Sequence, residues 1–190
     1  MQFRDQWKHD TTMGVVKHVY LVVVGCGQRE TYENYKLMVE AMVNSRGVEK
    51  TLWHGTTRKC SVGEPGVTEL CRTQNCGVCG IVRTSFSLAY YKKNTGWGRF
   101  GRGLYTSEVS SKAASYSKSL KNSPLTAMFL ATVVIGRTQT LHRNSPNRIR
   151  PKHGYNSVHG QPGGAGKLNY EEYVVYTDDA IVPSYLVMYE

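Results

Sequence analysis

The apolar residues of this 190-residue chain gather in short segments that are separated by irregular stretches of uneven length. Short segments that are rich in β-branched and aromatic residues predict strands. Five segments have this composition: residues 17–24, 50–54, 126–134, 172–176 and 185–189. Because helical segments do not alternate regularly with these strands, the pattern predicts an α+β domain.

Two further segments predict helices. Residues 29–45 have apolar side chains at helical spacing, which indicates one buried stripe along a helix. The stripe consists of Tyr32, Tyr35, Met38, Val39, Met42 and Val43. A shorter helix is predicted at residues 110–120, where serines lie near the start. Residues 143–168 are rich in proline and glycine and predict a long surface loop, and we expect residues 1–190 to form one domain.

The composition excludes several classes of protein. A hydrophobic fraction of 40% is enough for a packed core, so the chain is not globally disordered. The longest apolar run, residues 128–135, is too short to span a membrane, and the first ten residues lack the apolar stretch of a secretory signal. A net charge of +10 favours an anionic partner such as nucleic acid or an acidic protein tail, or it is ordinary solubility charge.

Four of the five cysteines lie within one stretch of twenty residues: Cys60, Cys71, Cys76 and Cys79. Without a secretory signal we expect a reducing compartment, the cytoplasm or the nucleus, where such a cluster indicates a metal site before it indicates disulfides. The spacing of the last two cysteines is typical of a zinc knuckle, so we predict a structural four-thiolate Zn²⁺ site in a cysteine-rich insert at about residues 57–82. Free thiols and a redox role are the alternatives, and Cys26 is expected to be a buried thiol.

Three local clusters carry residues that are suited to chemistry: Leu-Trp-His-Gly-Thr at 52–56, Phe-Gly-Arg-Gly-Leu-Tyr at 100–105 and Glu-Glu-Tyr-Val-Val-Tyr at 171–176. His54 at a strand end can hold a ligand hydroxyl, or it is a structural histidine. Tyr105 can stack on a flat ring, or it belongs to the core. Glu172 is costly in an apolar strand unless it is paired or used. Its neighbour Glu171 has to point to the opposite face.

Taken together and in order, these segments resemble the catalytic domain of the poly(ADP-ribose) polymerase family. The resemblance extends over residues 32–52, 100–116, 155–160 and 168–176, and it places the His-Tyr-Glu triad of that family on His54, Tyr105 and Glu172. It implies an ADP-ribosyltransferase fold of two packed, mostly antiparallel sheets with flanking helices. It also implies cleavage of NAD⁺ and transfer of ADP-ribose, with a protein as the default acceptor. Glu172 is compatible with chain elongation, but its presence does not prove it, and we expect transfer of a single unit.

The resemblance also implies a role for each site residue. Glu172 stabilises the developing sugar cation, His54 binds the adenine-side ribose, and the backbone of Gly55 binds the nicotinamide amide. The rings of Tyr105 and Tyr116 enclose the nicotinamide. A serine that contacts nicotinamide in the family corresponds to Ala113 here. One hydrogen bond is therefore missing, or a neighbour such as Ser111 supplies it.

The sequence Gly-Trp-Gly-Arg-Phe-Gly at 96–101 fits a dinucleotide-binding pattern, but no clear strand precedes it. We interpret this segment instead as a flexible loop over the NAD⁺ site, or as a plain glycine-rich turn. In the first interpretation Lys92, Lys93, Arg99 or Arg102 lies near the pyrophosphate.

Three other functions remain open from the sequence: transfer to a nucleic-acid terminus, hydrolysis of NAD⁺, and a degenerate module that binds nucleotide without turnover. We expect a monomer with no membrane association. Too few residues precede His54 to form the helical autoinhibitory domain of the family. We therefore expect the NAD⁺ site to be open without an activating signal.

Overall fold

The computed structural model describes residues 2–8, 12–91, 98–120, 122–163 and 168–190. The helices are α1 (Gln2–Asp5), α2 (Cys26–Val43), α3 (Gly77–Thr84) and α4 (Ser110–Ala114), with 3₁₀ turns at Leu88–Tyr90 and Asp178–Ala180. The strands are β1 (Val16–Leu21), β2 (Glu49–Gly55), β3 (Leu104–Thr106), β4 (Thr126–Val134), β5 (Thr138–Leu141), β6 (Ser157–Gly160), β7 (Glu172–Val175) and β8 (Ile181–Tyr189).

The strands form two four-stranded sheets. The first has the order β1-β8-β4-β2 and is antiparallel throughout. The second has the order β3-β7-β6-β5, and its pairs are antiparallel except for the parallel pair β5 and β6. This architecture confirms the predicted α+β fold with two mostly antiparallel sheets.

One apolar core joins the two sheets. Leu52, Phe129 and Met188 of the first sheet pack in the same cluster as Tyr173 and Val175 of the second. The predicted strand at residues 126–134 is β4, which lies inside the first sheet between β8 and β2. Central position in a sheet explains why this strand is the most continuously apolar part of the chain.

Helix α2 differs from the prediction at both ends and in the width of its buried stripe. It begins at Cys26, and it ends at Asn44, which has a left-handed conformation with φ of 50°. Tyr32 and Val39 are buried, whereas Met38 is 49% exposed, so the predicted six-residue stripe is wrong in its extent. The helix packs along a narrow line against residues such as Val182, with Tyr35 and Val43 partly buried against the same cluster.

Other segments also differ from the prediction. Helix α4 ends at Ala114 instead of residue 120, because the chain turns and pairs Lys118 with Thr57 of the insert. Strand β6 lies within the predicted loop at residues 143–168, and α3 was not anticipated. Cys26, predicted to be buried, is exposed at the first turn of α2. Among the described helices, none is long and apolar enough to cross a membrane.

Candidate active site

A cavity of about 500 Å³ lies where β2, β3 and β7 meet the cysteine-rich insert. The structure brings five of the predicted site residues to its surface: His54, Gly55, Tyr105, Tyr116 and Glu172. They come from three strands and from the turn after α4, over a distance of more than a hundred residues in the sequence. The triad residues therefore share one cavity.

His54 is held by its neighbour across the site. Its Nδ1 lies 2.8 Å from the backbone oxygen of Tyr105, and since a carbonyl only accepts, Nδ1 carries the hydrogen. Nε2 is therefore left as an acceptor for a ligand hydroxyl. The ring of Phe86 meets the imidazole edge-on at 5.0 Å. Burial lowers the pKa of His54 below its ordinary value, so the ring is neutral at neutral pH.

Gly55 allows α4 to approach strand β2 very closely. A Cβ at this position would lie 1.8 Å from the carbonyl oxygen of Ala113 and 3.0 Å from the hydroxyl of Ser117. No side chain fits there, so glycine is required by the close approach of two backbones. The same contact brings Ala113, which is 4% exposed, to the cavity surface beside Gly55.

The hydroxyl of Tyr105 is fully engaged by the glycine-rich turn that precedes it. It donates to the carbonyl oxygen of Gly101 at 2.7 Å and accepts from the amide of Phe100 at 3.0 Å. Burial raises the pKa of this phenol well above its ordinary value. The hydroxyl therefore positions the turn, and the ring is what Tyr105 offers to a ligand.

Glu172 is the most unusual polar group of the cavity. The residue is only 5% exposed, and its Oε1 lies 3.1 Å from the Nζ of Lys112. Its Oε2 is buried and has no hydrogen-bond partner among the described residues. A buried carboxylate oxygen without a donor costs free energy, on the order of 1–3 kcal/mol, unless a ligand supplies the hydrogen bond.

The carboxylate of Glu171 points away from that of Glu172, as the alternation along a strand predicts. Its Oε2 lies 3.2 Å from Nε2 of His159, whose ring stacks on Tyr173 with centroids 4.2 Å apart. Its side chain is 38% exposed, compared with 7% for Glu172. Only one of the two adjacent carboxylates therefore faces the cavity.

Some predicted ligand-binding residues lie elsewhere. Ser111 is buried, but its Oγ accepts from the amide of Lys8 at 3.0 Å, and it does not line the cavity. Arg102 is exposed and is likewise not part of the lining. Arg99 does line the cavity, whereas Lys92 and Lys93 lie outside the described residues.

The sequence analysis missed many cavity residues, and the cysteine-rich insert and α3 supply a large share of them. They include Arg72, Thr73, Asn75, Cys76, Cys79 and Arg83. No hydrophobic period marks this segment, so nothing in its pattern pointed to a role in the site. Lys112 was also missed, although its place on α4 next to Ala113 was a usable signal.

The four clustered cysteines converge as predicted. All four Sγ atoms lie within 4.8 Å of one another, with Cys60 at 3.8 Å from Cys76 and 3.5 Å from Cys79. Tetrahedral Zn²⁺ with four sulfur ligands at about 2.3 Å requires sulfur separations of about 3.8 Å. Cys76 and Cys79 are buried, and the donor set therefore fits zinc in both distance and chemistry.

Hydrogen bonds favour the thiolate form of Cys71. Burial raises the pKa of Cys71. Hydrogen bonds from the hydroxyl and amide of Thr73 and from the thiols of Cys60 and Cys79 lower it by more, so that the pKa falls to about 6. A metal binds the thiolate rather than the thiol. At least one ligand of the cluster is thus prepared for a metal at neutral pH.

The cysteine cluster is joined to the cavity on one side and to the core on the other. Cys76 and Cys79 themselves line the cavity, and Arg83 donates to the carbonyl oxygen of Cys71 at 2.8 Å. The buried guanidinium of Arg58 donates to the carbonyl oxygens of Cys60, at 3.0 Å, and of Leu125, at 2.6 Å. The insert is therefore anchored at the start of β4.

The chain is similar to a known protein family. A family model described as the poly(ADP-ribose) polymerase catalytic domain matches residues 8–165. The match includes His54 and Tyr105 and ends before Glu172. Among curated proteins, none matches the sequence.

Proposed function

Because the chain belongs to the poly(ADP-ribose) polymerase family, we propose that it cleaves NAD⁺ and transfers a single ADP-ribose to a protein side chain. Membership of the family supports an ADP-ribosyltransferase that uses NAD⁺ as its substrate. The observation that carries the proposal is Glu172, a buried carboxylate with one unpaired oxygen, in the same cavity as His54 and Tyr105.

The reaction needs charge stabilisation more than proton transfer. Nicotinamide leaves NAD⁺ as a neutral molecule, so its departure requires no general acid. Positive charge instead develops on the ribose, as in an oxocarbenium ion, and a nearby carboxylate stabilises it. Glu172 supplies that carboxylate, and its Oε2 accepts a hydrogen bond from a ribose hydroxyl.

Lys112 positions the carboxylate. Its ammonium group holds Oε1 of Glu172 at 3.1 Å, which fixes the side chain and leaves Oε2 for the substrate. The same ammonium group lies 5.6 Å from the ring centroid of Tyr116. Lys112 therefore links the acidic side of the cavity to the aromatic side chain that, in our proposal, encloses the nicotinamide.

The remaining side chains bind and orient NAD⁺. The acceptor Nε2 of His54 holds a hydroxyl of the adenine-side ribose, and the backbone of Gly55 fixes the nicotinamide amide. The rings of Tyr105 and Tyr116 enclose the nicotinamide. Ala113 lies beside Gly55 and adds no hydroxyl, so the amide has one hydrogen bond fewer than a serine at this position would allow.

We also propose that Cys60, Cys71, Cys76 and Cys79 hold a structural Zn²⁺. Since the ion would have four protein ligands and no open position, it would stabilise the insert without taking part in the chemistry. Such a site suits a reducing compartment, the cytoplasm or the nucleus. Metal analysis of protein purified without added metal tests this proposal: about one equivalent of zinc supports it, and less than half an equivalent contradicts it.

Mass spectrometry after incubation with NAD⁺ and cell extract tests the enzymatic proposal. A modified protein that carries one ADP-ribose supports it, whereas a series of larger masses shows polymer formation. Free ADP-ribose alone shows hydrolysis, a modified nucleic acid shows a different acceptor, and an unchanged mixture indicates a binding module. The Glu172→Gln variant is the negative control, and Glu171→Gln is its matched neighbour.

A further inference from the structure

The acidic residues of the chain are unevenly distributed. No aspartate or glutamate occurs from residue 109 to residue 170, a third of the sequence. The same segment contains nine basic residues: Lys112, Lys118, Lys121, Arg137, Arg143, Arg148, Arg150, Lys152 and Lys167. Charge that only maintains solubility is usually mixed in sign over the surface, so this separation points to a local function.

The connection between β5 and β6 brings several of these residues to one surface. Arg143, Arg150 and Lys152 are exposed along this connection, and Arg137 is exposed at its base, where its carbonyl oxygen accepts from the amide of Asn156 at 2.8 Å. Arg102 joins the same surface, because its amide donates to the carbonyl oxygen of Arg148 at 2.8 Å. We call this surface, Arg102, Arg137, Arg143, Arg150 and Lys152, the basic face.

The cations of the basic face have no carboxylate partner among the described residues. Acidic residues concentrate elsewhere, for example Glu30, Glu33 and Glu40 on α2. The basic face therefore presents a field of one sign to the solvent.

The chemistry of the basic face fits phosphate groups. Four of its five cations are arginines, whose planar guanidinium groups bind phosphate oxygens in pairs. Ile149 is 70% exposed and Tyr155 is 38% exposed on the same connection. Flat or apolar side chains among cations allow unstacked bases to pack beside a bound backbone. No described helix or hairpin of this region can enter a duplex groove, since the connection between residues 142 and 156 has neither.

From these observations we propose that the basic face binds single-stranded nucleic acid through its phosphates. The basic face also adjoins the cavity, because the amide of Ser145 on this connection donates to the carbonyl oxygen of Arg99, a lining residue, at 2.7 Å. The connection that carries the basic face therefore contacts the lining of the cavity. The binding itself does not depend on the proposed enzymatic activity.

Fluorescence anisotropy with a labelled twenty-nucleotide single strand, of RNA and of DNA, tests the proposal without NAD⁺. The test variant is Arg143→Gln/Arg150→Gln/Lys152→Gln. The control variant, Arg4→Gln/Arg29→Gln/Arg46→Gln, lowers the net charge equally but changes exposed residues that lie elsewhere. We expect the Kd of the test variant to be at least tenfold higher than that of the wild type, and the Kd of the control variant to change less than twofold.

The dependence on salt identifies phosphate contacts. Loss of three contacts with a single strand lowers the slope of log Kd against log salt concentration by about 2. A variant with Arg143→Lys and Arg150→Lys keeps both charges, so we expect it to bind within a few fold of the wild type. Equal losses in the test and control variants overturn the proposal. Equal affinity for a polyglutamate of the same charge also overturns it, since the basic face then recognises acidic protein.

Discussion

The two walls of the cavity are built in different ways. One, which we call the strand wall, carries His54, Gly55, Tyr105 and Glu172 on paired strands. The other, the insert wall, consists of residues 72–83 and depends on four clustered cysteines and on Arg58. Backbone pairing along the strands holds the first wall, whereas the second lacks such pairing and is held by the cysteine cluster, by Arg58 and by buried side chains such as Val78. The two walls are therefore sensitive to different changes.

The strand wall places its groups where the protein is most rigid. Each residue of β7 pairs with β3 or β6, and Val174 beside Glu172 is completely buried. Catalytic groups on such elements are held precisely. The insert from residue 60 to residue 76 has no helix or strand, and only its last part, from Gly77, forms α3. We expect changes in the strand wall to alter turnover, and changes in the insert wall to alter NAD⁺ binding and stability.

The largest effect is expected in the strand wall, from Glu172→Gln. The amide keeps the shape of the side chain but loses the charge that stabilises the sugar cation, so kcat should fall about 100- to 1,000-fold with little change in the Kd for NAD⁺. Turnover and equilibrium binding measured on the same preparation separate the two effects. Glu171→Gln should change kcat less than about threefold, and equal losses in both variants contradict the assignment.

Loss of the proposed zinc site should have the next largest effect, and it should act on the insert wall. Cys79→Ser removes one of the four proposed ligands, which is buried. Without the cross-link that zinc would supply, we expect NAD⁺ to bind at least about tenfold more weakly and the Tm to fall. Isothermal titration and a thermal melt measure the two changes. Cys26→Ser alters an exposed cysteine outside the cluster and should change neither. A zinc content that is unaffected by Cys79→Ser contradicts the ligand assignment.

The dependence of stability on pH should report on His54. Its pKa is lowered by burial, so below about pH 6.5 the unfolded chain binds a proton that the folded chain does not. The free energy of unfolding should therefore fall as the pH drops below 6.5, by at most about 1.4 kcal/mol per pH unit for this group, and stay level above it. Denaturant unfolding of the wild type and of His54→Gln between pH 5 and pH 8 isolates the contribution of His54 to the free energy of unfolding. If the free energies of the two proteins depend on pH in the same way, His54 does not cause the effect.

Ala113→Ser should produce the smallest effect, and unlike the other variants it should strengthen binding, in this case of nicotinamide. The new hydroxyl lies at the cavity surface beside Gly55 and supplies the missing hydrogen bond to the amide of nicotinamide. At about 1 kcal/mol for one hydrogen bond, the inhibition constant of nicotinamide should fall about fivefold. Competition assays against NAD⁺ measure it. A rise in that constant shows that the amide binds elsewhere.

The contrast between the walls also explains what the sequence could predict. Strands such as β4 follow from a local apolar pattern, whereas the triad positions His54, Tyr105 and Glu172 follow from the family resemblance of several segments taken in order. The sequence of the insert wall has no sustained hydrophobic period. Its part in the cavity therefore depends on contacts that only folding creates, such as the hydrogen bond from Arg83 to the carbonyl oxygen of Cys71. The exposure of Cys26 and the burial of Ser111 against Lys8 are likewise set by packing between distant segments.

In the proposed reaction, the fixed hydroxyl of Tyr105 has a consequence for release of the first product. Since its hydroxyl already forms hydrogen bonds with the turn before β3, the side chain presents its aromatic face to the cavity. Such a face attracts the pyridinium cation of intact NAD⁺ by about 1–2 kcal/mol, and that attraction vanishes when nicotinamide becomes neutral. In the proposed reaction, breaking the bond would therefore weaken the contact between Tyr105 and nicotinamide and favour release of the neutral product.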